Sequence, residues 1–307
     1  MTRHFTTIEQ IADQDLFSLY ELAVSAFDDE TLKGQGVALV FERPSLRTRA
    51  SSSSAVHELG GFVTIFSGEE IGLDARESAE DVGRTLAEMY SVAAMRVRRH
   101  DVFERIRVAT SERMSLINLL SDAAHPTQAV ADVLSIAEHF ANGDVHGLRG
   151  LQVSYVGDAT NVTRSLASAL VRLGVDVTVA APVGYQLRPG GFEDPTRVVG
   201  GGLLRQCDDA RDGVEGADVV YTDAWVSMGF EDEAPQRRID LQPFRVDAKL
   251  MSLAKPEAVV MHCLPAHRGD EISDGVLDGD QSLVWRQVYH RRTAMLGVLR
   301  WIKEDSK

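Results

Sequence analysis

The apolar positions along this chain switch repeatedly between short continuous runs and helical spacing. Residues 37–41 (VALVF) are uninterruptedly apolar, as expected of a strand buried on both faces. Residues 47–59 then carry a helical pattern that stops at Gly60-Gly61. The same reading places a strand at 61–66, an amphipathic helix at 79–90 (Val82, Leu86 and Met89 on one face), and strands at 93–97 and 115–119. A long helix at 127–140 could cross between domains. The second half opens with a strand at 151–156, a helix running through Leu173, then Gly174 and a strand at 175–180. That is a βαβ unit, which implies parallel pairing. Strands at 217–222 and 258–263 and a final helix at 282–307 complete the pattern, and the Gly/Pro-rich stretch 182–205 reads as surface loop.

The fold class implied is α/β, with two lobes, each a mostly parallel sheet flanked by helices. In such sheets ligands sit beyond the carboxyl ends of the strands, so candidate chemistry is sought in the residues that follow each strand.

Composition narrows the function. The chain has 307 residues, enough for two domains with separate cores, and 32 basic against 46 acidic residues give a net charge of −14. That charge argues against nucleic acid or an anionic membrane as main partner. Two cysteines, Cys207 and Cys263, lack metal-ligand spacing and suit a reducing compartment. The amino terminus has no apolar signal core and no stretch reaches membrane-span length, so a cytoplasmic protein is expected.

Against this acidic background, Arg43, Ser45, Arg47, Thr48 and Arg49 cluster between the first strand and its helix. A helix amino terminus offers free N–H groups and the positive end of a dipole, hydroxyls add donors, and a guanidinium can grip two phosphate oxygens. The segment can therefore bind phosphate without a glycine-rich loop. A capped helix with surface arginines would have the same composition. Arg96, His125-Pro126-Thr127-Gln128, Gly157-Asp158-Ala159-Thr160-Asn161, Asp223-Ala224-Trp225-Val226-Ser227-Met228-Gly229 and His262-Cys263-Leu264-Pro265 each follow a further strand. The G-x-G-x-x-G of a dinucleotide site is absent after residue 156, which disfavours a dehydrogenase.

Ser45 to Arg49 resembles the S-x-R-T-R phosphate signature of the aspartate and ornithine carbamoyltransferases, and five further motifs recur in that family's order over nearly the whole chain. The resemblance implies a carbamoyl phosphate-binding domain at 1–140, an ornithine-binding domain at 141–285, and a carboxyl-terminal helix at 286–307 that returns to the first domain. It implies a carbamoyl phosphate site made by Ser45, Leu46, Arg47, Thr48, Arg96, His125, Gln128, Cys263, Leu264 and Arg291. Arg96, His125, Cys263 and Arg291 would be catalytic, and Gln128 would hold the carbamoyl amine. Arg291 is placed by ungapped counting from His267-Arg268-Gly269, and Arg292 adjoins it. Asn161, Asp223, Ser227 and Met228 would bind ornithine, and the D-x-W-x-S-M-G pattern belongs to ornithine rather than aspartate enzymes. The implied partners are carbamoyl phosphate and L-ornithine, with no cofactor, no metal, no nucleic acid and no membrane, in a homotrimer or a multiple of trimers. Transfer to another amine, or a catalytically silent ligand-binding member of the fold, are the alternatives. One departure stands out: where the family often has a Gln or His that reaches a neighbouring subunit's site, this chain has Gly72.

Overall fold

The computed structural model describes residues 2–25, 30–188, 201–226 and 231–304. The chain divides into two compact units, Met1–Leu134 with Tyr289–Lys307, and Ser135–Val288.

In the first unit four parallel strands, β1 (Gly36–Phe41), β2 (Phe62–Ser67), β3 (Val92–Arg96) and β4 (Ser115–Leu120), are ordered β2-β1-β3-β4. The central strand β1 is buried from Val37 onward, which is why its sequence is apolar without alternation. The edge strand β2 has no buried residue: it is half-exposed in its middle and exposed at both ends. The chain leaves β1 for β2 on one side and returns as β3 on the other, so the carboxyl ends of β1 and β3 form a topological switch point. Phe41 is paired with Arg96 there, and Arg96 with Leu120.

Two helices of this unit are missing from the sequence reading. Asp13–Val24 buries Leu16, Leu19, Tyr20 and Ala23, and Asp101–Ala109 buries Val102, Phe103 and Ile106. The helix expected at 79–90 stops at Ala87; beyond it the next apolar residue, Met89, is 62% exposed and gains nothing from continuing. The carboxyl-terminal helix, Val284–Lys303, is tied to this unit by its last part. A Cβ at Gly297 would lie 2.6 Å from the Leu19 carbonyl oxygen, so only glycine permits that approach to the Asp13–Val24 helix. Trp301 meets Phe5 edge-on at 6.4 Å.

In the second unit five parallel strands, β5 (Gln152–Val156), β6 (Asp176–Ala180), β7 (Leu204–Cys207), β8 (Val219–Thr222) and β9 (Val259–His262), are ordered β7-β6-β5-β8-β9. The strand β7 corrects the expectation of loop up to residue 205. Its sequence LRQC is polar, and it reads as a strand only because β6 offers an edge to pair with. Here the switch point lies at β5, between β6 and β8. Val156 pairs with Thr222 and Thr222 with His262, so the residues after β5, β8 and β9 emerge side by side.

Candidate active site

In the first unit, Ser45 is the N-cap of the helix Leu46–Glu58 but makes no side-chain cap bond. Its hydroxyl donates to Thr48 Oγ1 at 2.9 Å instead. The free N–H groups of that first turn are therefore not consumed by the cap. Leu46 is 81% exposed, so its contribution to a ligand would come from its backbone N–H. Thr48 is buried and its Oγ1 also accepts from Arg291 Nη2 at 2.7 Å.

Arg291 is the arginine that turns inward. It is buried, and its second amino group, Nη1, donates to Gln128 Oε1. Arg292, one residue on, reaches Glu58 and lies over the Tyr289 ring at 5.4 Å. The helix Pro126–Ala141 begins just after His125, which the turn following β4 delivers. His125 is buried, and its pKa is held well below the usual 6.5, first by burial and then by the positive charges of Arg291, Arg96 and Arg47. The hydrogen bonds of Arg291 join the Leu46–Glu58 helix to the Pro126–Ala141 helix, through Thr48 and Gln128. His125 is neutral near neutrality and can offer an N–H without adding charge.

In the second unit, Cys263 Sγ donates to Asp223 Oδ1 at 2.9 Å, and the Ala224 N–H caps the same oxygen at 2.7 Å. Burial raises the Asp223 pKa, offset in part by His262 and by these two hydrogen bonds. His262 is fully enclosed. Its Nδ1 accepts the Leu264 N–H at 2.9 Å, which places the ring proton on Nε2, 3.1 Å from Glu271 Oε1. This bond holds Leu264 at φ +60, a left-handed conformation unusual for a leucine, and thereby fixes the direction of the backbone beside Cys263. Asp223, His262 and Cys263 could present three ligand atoms within 4.8 Å to a metal ion. The lone pair of Nδ1 and the Cys263 proton are already engaged within the cluster.

Asn161 is the first residue of the helix Asn161–Arg172, after β5. Thr160 caps that helix, in a reciprocal arrangement with Thr163. Asp158 pairs with Arg237 at 2.5 Å, and Arg237 also donates to the Trp225 carbonyl at 3.3 Å. Ser227 and Met228 lie outside the described residues.

Sequence reasoning missed Asp132, Glu271 and Arg237. Asp132 carried a faint signal, as an acid one turn after Gln128 in a helix that is mostly apolar. Glu271 meets His262 and the His267 N–H through a bend in the chain, and Arg237 reaches Asp158 across the fold, neither of which a periodic pattern marks. Gly72 has a structural reason: it closes the turn after Ile71 at φ +59, and a Cβ there would lie 2.7 Å from Arg76 Cβ.

These features define an α/β protein with arginine, hydroxyl and imidazole side chains after β1, β3 and β4 of one sheet and a carboxylate–thiol pair after β8 and β9 of the other. Comparison with known proteins is specific. Residues 3–138 match the family model described as aspartate/ornithine carbamoyltransferase, carbamoyl-P binding domain, and residues 149–302 match that of the Asp/Orn binding domain. The chain belongs to the aspartate/ornithine carbamoyltransferase family. It is 34% identical to an ornithine carbamoyltransferase of Wolinella succinogenes over 98% of both chains. It is 38% identical to one of Acidothermus cellulolyticus, covering 95% of this chain and 93% of that one. The solved ornithine carbamoyltransferase from Pyrococcus furiosus is similar at a TM-score of 0.90 and 35% identity, over 97% of this chain and 96% of that one.

Proposed function

We propose that this chain transfers the carbamoyl group of carbamoyl phosphate to the side-chain amine of L-ornithine, giving L-citrulline and phosphate. The observation that carries this reading is the buried Arg291, which donates to Thr48 at a helix start whose N–H groups the Ser45 side chain does not take and to Gln128 three residues after His125, an imidazole that burial and then the charges of Arg291, Arg96 and Arg47 keep neutral. A phosphorylated carbonyl compound matches that array: a dianion for the guanidinium groups and helix end, and a carbonyl oxygen for the His125 N–H. The names of the relatives supply the acceptor, and Asp223 suits a cationic amino acid in a way that an aspartate-binding site, which needs arginines, would not.

Ser45, the Leu46 N–H, Arg47 and Thr48 hold the phosphate in this scheme. Arg96, His125 and Arg291 surround the carbonyl oxygen, and Gln128 takes the carbamoyl amine. Asn161 and Asp223 hold the ornithine backbone and amines, while Cys263 and the Leu264 carbonyl steady the attacking nitrogen. That nitrogen, unprotonated, adds to the carbonyl carbon. The oxyanion of the tetrahedral species is stabilised by the three cationic or N–H donors. The carbon–oxygen bond to phosphate then breaks, its electron pair leaves with the phosphate, and the phosphate takes the proton released by the new amide nitrogen. Positioning and electrostatics supply the acceleration. The working form in this proposal is a homotrimer or a multiple of trimers in the cytoplasm; among the described residues no helix is long and apolar enough to cross a membrane.

Colorimetric detection of citrulline from carbamoyl phosphate and ornithine tests the proposal. Turnover with ornithine well above that with lysine, putrescine or aspartate is expected. Equal or better turnover with another of these amines would replace the acceptor, and no turnover with any would leave a binding protein.

A further inference from the structure

We infer that Asp132 is a positioning residue that fixes the amide of Gln128 with its oxygen toward the donor site, and so makes the protein select a carbamoyl over an acetyl group. The inference rests on the carbamoyl phosphate site proposed above.

Gln128 and Asp132 lie one turn apart on the Pro126–Ala141 helix, 1% and 0% exposed. Gln128 Nε2 donates to Asp132 Oδ1 at 2.7 Å. On its other side, Gln128 Oε1 accepts from Arg291 Nη1. A side-chain amide can be turned over with little change in shape, so its orientation must be decided by partners. Both partners here give the same answer. A guanidinium only donates, which demands the oxygen. An ionised carboxylate only accepts, which demands the nitrogen. Reversal would set donor against donor at Arg291 and acceptor against acceptor at Asp132, in a buried place where water cannot repair either.

The oxygen has room for a second hydrogen, since a carbonyl carries two lone pairs. Arg291 occupies one. The other suits an N–H2 group placed beside the guanidinium, which is what carbamoyl phosphate presents next to its carbonyl. Acetyl phosphate has the same shape and charge with a methyl group there, and leaves that lone pair unmet. A site built to hydrogen-bond one group rejects the analogue that lacks it far more strongly than an apolar pocket can. Without Asp132 the amide nitrogen would be buried and unsatisfied, and rotation toward the donor site would relieve it. The site would then present N–H to N–H and lose its preference.

The test is the ratio of acetyl phosphate to carbamoyl phosphate dissociation constants, measured by calorimetry, with inorganic phosphate as control. Asp132→Leu is expected to lower that ratio at least tenfold while phosphate affinity stays within about threefold. Asp132→Asn, which can still turn an oxygen to Gln128, is expected to keep the ratio within about threefold. A purely structural role would weaken all three ligands together. An unchanged ratio in Asp132→Leu, or a parallel loss for all three ligands, would overturn the inference. If Asp132→Leu does not fold, the exchanged pair Gln128→Glu with Asp132→Asn decides. The carboxylate introduced by the first change would accept from the amide introduced by the second, from Arg291 and from the carbamoyl amine. The preference should therefore survive the exchange, and its loss would overturn the inference. Binding needs no turnover, so a wild type that prefers carbamoyl phosphate yet makes no citrulline would defeat the proposed reaction and leave this test standing.

Discussion

Arg96 closes β3 directly beside the carboxyl end of β1, and it is one of the charges that hold His125 neutral. Neutralising a developing oxyanion from such a position is typically worth a factor of about a hundred to a thousand. Arg96→Ala is therefore expected to lower kcat at least about a hundredfold with unchanged circular dichroism, and a loss of only a few-fold would remove it from the chemistry. Gly72 makes the opposite point, that a departure from a family pattern can be a backbone requirement. Gly72→Gln would impose a side chain on a left-handed residue and on Arg76, and should cost at least about 1–2 kcal/mol in urea unfolding. If it cost nothing, the turn would have to be rebuilding freely, and sterics would not explain the glycine.

Elements show where reading the sequence succeeds and fails. The buried strands β1 and β3 were legible because two-sided burial forces continuous apolar runs, and the start of the helix Leu46–Glu58 because an N-cap serine and a helical pattern follow the strand directly. The strand β7 was not, since its four residues, none of them buried, owe their conformation to the neighbouring edge rather than to their own pattern. Pairings that cross the fold were equally hidden. Arg237, on the helix Ala234–Leu241, reaches back to Asp158 after β5, with side chains only 8% and 12% exposed. Burial raises the Asp158 carboxyl pKa and Arg237 opposes it. Removing one partner leaves the other charge enclosed, so Arg237→Leu should cost roughly 3–5 kcal/mol. Replacing both, Arg237→Leu with Asp158→Leu, should recover most of that, and additive losses in the double-mutant cycle would show that the pair is not coupled.

For the whole molecule, the decisive question is which proton limits the rate. The protein carries a net charge of −14, yet the positive charges of three arginines act on His125, after burial, to lower its pKa. Those charges, together with burial, keep His125 unprotonated well below pH 6.5, so its titration cannot shape the rate above that value. The sign for stability follows: below pH 6.5 the unfolded chain takes up a proton at His125 that the folded chain refuses, and stability falls as the pH drops. The attacking amine behaves differently. An aliphatic side-chain amine has a pKa of about 10.4 and attacks only when neutral, so near neutrality the reactive fraction grows about tenfold per pH unit. With carbamoyl phosphate saturating, kcat/KM for ornithine should climb with a logarithmic slope of about one from pH 7 to 9. A flat profile over that range would mean that the bound amine is already deprotonated by the protein, and the carboxylate–thiol pair of Asp223 and Cys263 would then have to act on the proton rather than only hold the substrate.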